Sequence, residues 1–325
     1  MNRSVVFDGL QISNWSAEVF QEIVDGGVHG INATCAVWDE TLEAIRNITD
    51  LRLIQQRHPD LMRIVTSTHE IRESAERNQV GVILGFQNTS PFGQDYSLVE
   101  VFRDLGVRIA QLTYNIQNYV GGACYDTTDS GLTRFGSIIV EEMNRVGMLI
   151  DLSHVGEKTS IDAIEQSDSP VAITHANPLW FADSPRNKSD RVIEALAANG
   201  GVIGACLYPN VIRGQNTTRE EFTAMVVKLV DQIGVEHVGL GSDCTRNWDS
   251  DYVSVLRDGR WQPSSGASWP EWPEWFTSPK DFPELANSLS DAGLSDADLA
   301  AVMGENWMRL FDQVFPSAPV NGGIS

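Results

Sequence analysis

A chain of 325 residues is too long for one small core and suits either a single large α/β barrel or two ordinary domains. Its 42% hydrophobic and 21% charged residues and mean hydropathy of -0.17 exclude a disordered chain, and no apolar run approaches the roughly 18 residues of a membrane helix. The 23 basic and 44 acidic side chains leave a formal charge of -21, which excludes the basic face that nucleic acids and anionic membranes require.

The chain opens on a strand-like run at 4–8 (SVVFD), with no charged-then-apolar leader, and a cytoplasmic location is the expectation. Seven further β-branched runs follow, at 28–36, 80–87, 107–114, 148–154, 170–175, 201–207 and 236–243. Amphipathic stretches such as 132–145 and 190–198 separate them, each long enough to cross back over a parallel sheet. Eight such units predict one (β/α)8 barrel, a TIM barrel, spanning residues 1–325 as a single domain. An open doubly wound sheet would want a Gly-rich phosphate turn after the first strand, and DGLQISNW is nothing like one.

One segment breaks the rhythm. Residues 246–283 hold five of the nine tryptophans (Trp248, Trp261, Trp269, Trp272, Trp275) and prolines at 263, 270, 273, 279 and 283. This insertion is expected to be too proline-rich for a helix. Following strand eight, it belongs at the mouth of the barrel, as a lid or as the contact of a homodimer. A helical pattern returns at 285–290 and from Ser295, a candidate N-cap, to Phe315. The four cysteines form no CxxC pair and read as reduced thiols; Cys35 and Cys244 close strands but read as small buried apolar residues.

In a barrel the residues closing each strand build the active site. Here those include Gln87, Tyr114, His154, His175 and Asp243. His58 and His69 read as surface residues, and His29 and His237, at strand starts, as structural ones. His154 and His175 close consecutive strands, where two imidazoles can share a metal.

The residues that carry this pattern also carry a resemblance. Leu132-Thr133-Arg134-Phe135-Gly136, the run Glu142 to Val155 (EEMNRVGMLIDLSHV from Glu141), Pro185-Arg186-Asn187, Gly239-Leu240-Gly241-Ser242-Asp243 and the 21-residue spacing of His154 and His175 resemble the renal or membrane dipeptidase family, zinc-dependent barrels of the amidohydrolase superfamily. The resemblance implies two zinc ions held by a first-strand His-x-Asp, a bridging Glu from the third strand and two histidines, here His154 and His175. It further implies Arg186 on the substrate carboxylate and Asp243 as the acid that handles the proton.

The departures are specific. Where the family reads Asp-Gly-His-x-Asp, this chain has Asp8-Gly9-Leu10-Gln11-Ile12; Gln87 stands at the bridging glutamate and Tyr114 at a histidine that meets the substrate. The expectation is therefore a dipeptidase-like metallohydrolase with at most one zinc, held by His154 and His175 with Gln87 or Asp243 as third ligand. Asp243 and Tyr114 are expected to be catalytic, Arg186 and Tyr114 to bind substrate. The expected substrate is a small carboxylate-bearing molecule, a dipeptide or N-acyl amino acid. The alternatives are a silent barrel binding a small metabolite or partner protein without metal, and a C–N-cleaving enzyme in which the tryptophans box a betaine-like zwitterion.

Overall fold

The computed structural model describes residues 4–259 and 267–315. Among the described residues there are nine strands: β1 Phe7–Gln11, β2 Gly30–Ala36, β3 Met62–Ile64, β4 Val80–Phe86, β5 Val107–Gln111, β6 Leu149–Asp151, β7 Ala172–Ile173, β8 Val202–Ala205 and β9 Val238–Leu240. The helices are α1 Ala17–Asp25, α2 Thr41–Arg57, α3 Thr68–Glu76, α4 Leu98–Asp104, α5 Arg134–Val146, α6 Glu157–Gln166, α7 Asp190–Ala198, α8 Arg219–Ile233, α9 Tyr252–Asp258, α10 Phe282–Asp291, α11 Asp296–Ala300 and α12 Asn306–Val314.

Eight strands pair in parallel in the order β1-β2-β4-β5-β6-β7-β8-β9. A parallel bridge between Gln11 and Cys244 joins the two edges, with Ile12 N–H donating to Cys244 O at 3.0 Å and Asp243 N–H to Leu10 O at 3.0 Å. The eight sequence runs thus become a closed (β/α)8 barrel. The first run is displaced: its strand spans 7–11, because Val5 and Phe7 turn into the apolar floor and pairing to β2 begins only at Phe7. The short β3, which pairs outside the ring with β4, carries no alternation that a sequence reading could use.

Helix α12 closes the bottom. Trp307 is fully buried and donates from Nε1 to Leu240 O at 3.0 Å, while Phe7 meets Phe311 edge-on at 5.0 Å. Ile83, Ile109, Leu149 and Val202 complete this cluster from the strands. The close approach fixes two glycines, since a Cβ at Gly9 or Gly239 would stand 2.6 Å from the indole. With the floor filled by apolar side chains, the polar residues collect at the opposite end, where the strands finish.

The insertion differs from its expectation. Residues 252–258 form α9, a helix that precedes the first proline of the segment and ends at Gly259 with φ 75°. Trp261 and Pro263 lie outside the described residues. His69 falls inside α3, and His58 caps α2. His29 Nδ1 accepts from Val6 N–H and His237 Nδ1 bonds Gly201 O, so both tie strand starts together. All four cysteines are free thiols. Among the described residues no helix is long and apolar enough to cross a membrane.

Candidate active site

A cavity of about 430 Å³ opens where the strands end, lined among others by Ile12, Gln87, Tyr114, His154, Arg186 and Asp243. Five of the six predicted site residues therefore share one cavity wall. The sixth, His175, is fully buried beneath His154. A larger cavity of about 620 Å³ lies beside it, between α2 and the start of the insertion, and contains none of them.

His154 and His175 face each other, with their Nε2 atoms 3.0 Å apart. Their other nitrogens are engaged: His154 Nδ1 bonds Asn115 Oδ1 at 2.7 Å and His175 Nδ1 bonds Thr174 Oγ1 at 2.8 Å. The Thr174 hydroxyl gives its one hydrogen to Asp151 Oδ2 at 2.7 Å, so it accepts from His175 Nδ1–H. Asp151 also accepts from the backbone and hydroxyl of Ser153. An amide oxygen on one ring and a hydroxyl oxygen on the other select the tautomer in which both Nε2 lone pairs point inward, the orientation a metal-ligating histidine adopts. Burial, then the positive charge of Arg186, holds both imidazoles well below their usual titration range, so both are neutral.

Arg186 arrives from the loop before α7. Its guanidinium donates to Ser153 O and, at 3.0 Å, to His175 O, bracing the ends of both histidine strands. Asp243 sits three residues beyond β9 with φ 56°, a left-handed conformation that turns its carboxylate into the cavity. Such a backbone costs an L-residue roughly 1 kcal/mol and is found where geometry demands it. Asn115, with φ 59°, is a second such residue at the site. Burial pushes the Asp243 carboxyl up to about 7, although Arg186 opposes the shift. Tyr114 stacks on His154 at 4.1 Å and meets Trp38 edge-on at 5.2 Å. Burial raises its phenol well above the ordinary range, so it remains a hydrogen-bond donor.

Gln87 donates from Nε2 to Thr34 Oγ1 at 2.9 Å. Among the described residues no three of His, Cys, Asp and Glu come together as a metal-binding group. Leu10 and Ile12 are both buried, Ile12 in the cavity wall, where neither can donate. The Cys35 thiol, pushed up to about 12 by burial, and that of Cys244, held by burial well above its ordinary range, offer no thiolate.

Part of the insertion reaches the cavity. Val253, Leu256 and Arg257 of α9 line the cavity, and Trp38 Nε1 donates to Leu256 O at 3.2 Å. Trp248, Trp269, Trp272 and Trp275 do not line it: Trp248 stacks on Tyr252 at 3.7 Å, and Trp275 donates to Thr217 O at 2.8 Å. The aromatic box expected of these tryptophans is thus absent among the described residues. Sequence reading missed Asn115, Thr174 with Asp151, and Arg257; Asn115 is adjacent to Tyr114, Thr174 is adjacent to His175 and Asp151 lies in the run that carries His154, whereas Arg257 stood beside no recognised position.

The chain is 28% identical over 282 residues to dipeptidase verJ of Clonostachys rogersoniana, covering 85% of this chain and 66% of that protein. It spans between 50% and 66% of the length of this and two fission-yeast relatives described as uncharacterised dipeptidases. An amidohydrolase of known structure from Pseudomonas aeruginosa is 35% identical, with a TM-score of 0.92 over 96% of this chain and 97% of that one. A metallopeptidase from Rhodobacter sphaeroides, crystallised with a phosphinate mimic of L-Ala-D-Ala, shares the fold at TM-score 0.80 and 19% identity over 96% of this chain and all of that one. The family model for membrane dipeptidases, peptidase family M19, matches residues 10–250, and the chain belongs to that family.

Proposed function

We propose that this chain is a hydrolase of dipeptidase type, cleaving the C–N bond of a small carboxylate-bearing substrate, a dipeptide or an N-acyl amino acid. The observation that carries the reading is the meeting of His154, Arg186, Tyr114 and Asp243 in one cavity, with His175 locked behind His154. Family membership and the dipeptidase names of the curated relatives support it.

The family's two-metal centre does not fit this donor set, because Leu10 and Ile12 remove one ion's ligands and Gln87 brings no charge to a bridge. A single zinc ion fits the paired imidazoles, whose inward lone pairs lack any hydrogen between them. His154 and His175 would hold it, with the neutral oxygen of Gln87 as third donor, and it would supply Lewis acidity to the scissile carbonyl.

The chain's own groups do the remaining work. The N–H bonds of Arg186 not used on Ser153 and His175 grip the substrate carboxylate. Asp243, with its carboxyl near 7, takes a proton from the attacking water and returns it to the leaving amine. The Tyr114 hydroxyl donates to the oxygen on which charge develops. Trp38, Leu256 and Val253 exclude bulk water from the site.

Release of free amino acid from dipeptides and N-acyl amino acids, assayed with zinc supplied and after chelation, tests the proposal; no turnover of either class would overturn it. Leu10 and Ile12 favour a second reading, a barrel that binds such molecules without cleaving them. Saturable binding without turnover would select it.

A further inference from the structure

Two arginines line the cavity, and Asp243 is the one carboxylate among its described lining residues. They come from different parts of the chain. Arg186 lies deep, held by the carbonyl oxygens of Ser153 and His175. Arg257 lies at the rim on α9, exposed to solvent, and hydrogen-bonds the Tyr208 hydroxyl across the mouth. The phenol of Tyr125, also in the wall, lies within electrostatic reach of both guanidinium groups, so the two face one enclosed space.

Arg186 carries its charge in a buried wall beside Ile12, where an anion offsets the cost of desolvation, and Arg257 sets a second positive charge at the solvated rim of the same cavity. The chain as a whole carries -21, so a positively charged hollow in this surface is a local arrangement and not a reflection of composition. One carboxylate satisfies Arg186 alone.

We infer that the substrate carries two anionic groups, one carboxylate received by Arg186 at the base and a second by Arg257 at the rim: an acidic dipeptide or an N-acylated acidic amino acid. The inference rests on the hydrolase reading for the class of molecule, and Arg257 is its specificity-determining residue. A rim position suits that role, since α9 meets the part of the substrate that projects from the reacting bond.

The test compares L-Ala-L-Ala, L-Ala-L-Glu and L-Glu-L-Ala. At least one acidic dipeptide is expected to exceed L-Ala-L-Ala tenfold or more in kcat/KM. In Arg257→Gln that ratio should fall at least tenfold, mainly through KM, and Arg257→Lys should restore part of it. Equal turnover of all three, or a ratio that Arg257→Gln leaves intact, overturns the inference while the hydrolase reading stands. The same dipeptides are titrated calorimetrically into the Asp243→Asn chain. Tighter binding of an acidic dipeptide, lost when Arg257→Gln is added, supports the inference even without turnover, in which case only the hydrolase reading fails. Equal binding of all three, or binding of none, overturns it.

Discussion

His154 and His175 present their Nε2 atoms to each other at 3.0 Å while Asn115 and Thr174 hold the far side of each ring. Two inward lone pairs at that separation repel, and a cation between them removes the repulsion. Asn115 is therefore a positioning residue. Asn115→Leu frees the His154 ring to change tautomer and should weaken zinc binding by about 10- to 100-fold, the usual cost of losing such a partner. Competition with a metal-indicator dye measures it, and undiminished affinity would remove Asn115 from the site.

Arg186 bonds the backbone at both histidine strands as well as facing the cavity. A lysine cannot reach both carbonyls and a carboxylate together. Arg186→Lys should raise KM about tenfold or more, equivalent to roughly 1.4 kcal/mol. It should also lower Tm, because a buried carbonyl is left without its donor. A changed KM with unchanged Tm would assign Arg186 to substrate alone.

Asp243 gives a pH dependence with a definite sign. Its carboxyl is raised from 3.8 to about 7 by burial, so the native chain holds that proton more tightly than the unfolded chain. Stability from this group is fully present below about pH 4 and is lost as pH rises through 7. On chelator-treated protein, Asp243→Asn should match the wild type near pH 4. Above pH 7 it should be more stable, by on the order of 2 kcal/mol after allowance for partial exposure. Denaturant titrations from pH 4 to 8 measure the difference, and a gap that widens toward low pH would contradict the assignment.

The floor of the barrel sets a stability prediction independent of chemistry. Trp307 is wholly buried against Phe7, Phe311, Gly9 and Gly239. Trp307→Ala should cost about 3–5 kcal/mol. Urea unfolding reads the loss, and a change below about 1 kcal/mol would mean that the floor repacks.

The ring of eight strands was legible because each is a run rich in β-branched residues, six of the eight closed by a polar residue, and His154, His175, Arg186 and Asp243 stood in motifs of local spacing. The three residues of β3 are too few to show a period, and the tryptophans and prolines around α9 masked a seven-residue helix. Thr174 stands beside His175 and Asp151 within the run that carries His154, but their hydrogen bond was not legible, because barrel closure brings the two strand ends together, and Arg257 was not legible because the placing of α9 at the cavity brings it there. Their roles are properties of the topology, and no local pattern marks them.

We propose a single-ion site built on His154 and His175 where the family resemblance implies two zinc ions. The most direct measurement is the zinc content of protein purified without chelator and saturated with zinc, set against the His154→Ala and His175→Ala chains. The prediction is one equivalent per chain, falling to none in either variant. Two tightly bound equivalents, or one that survives loss of both histidines, would contradict it.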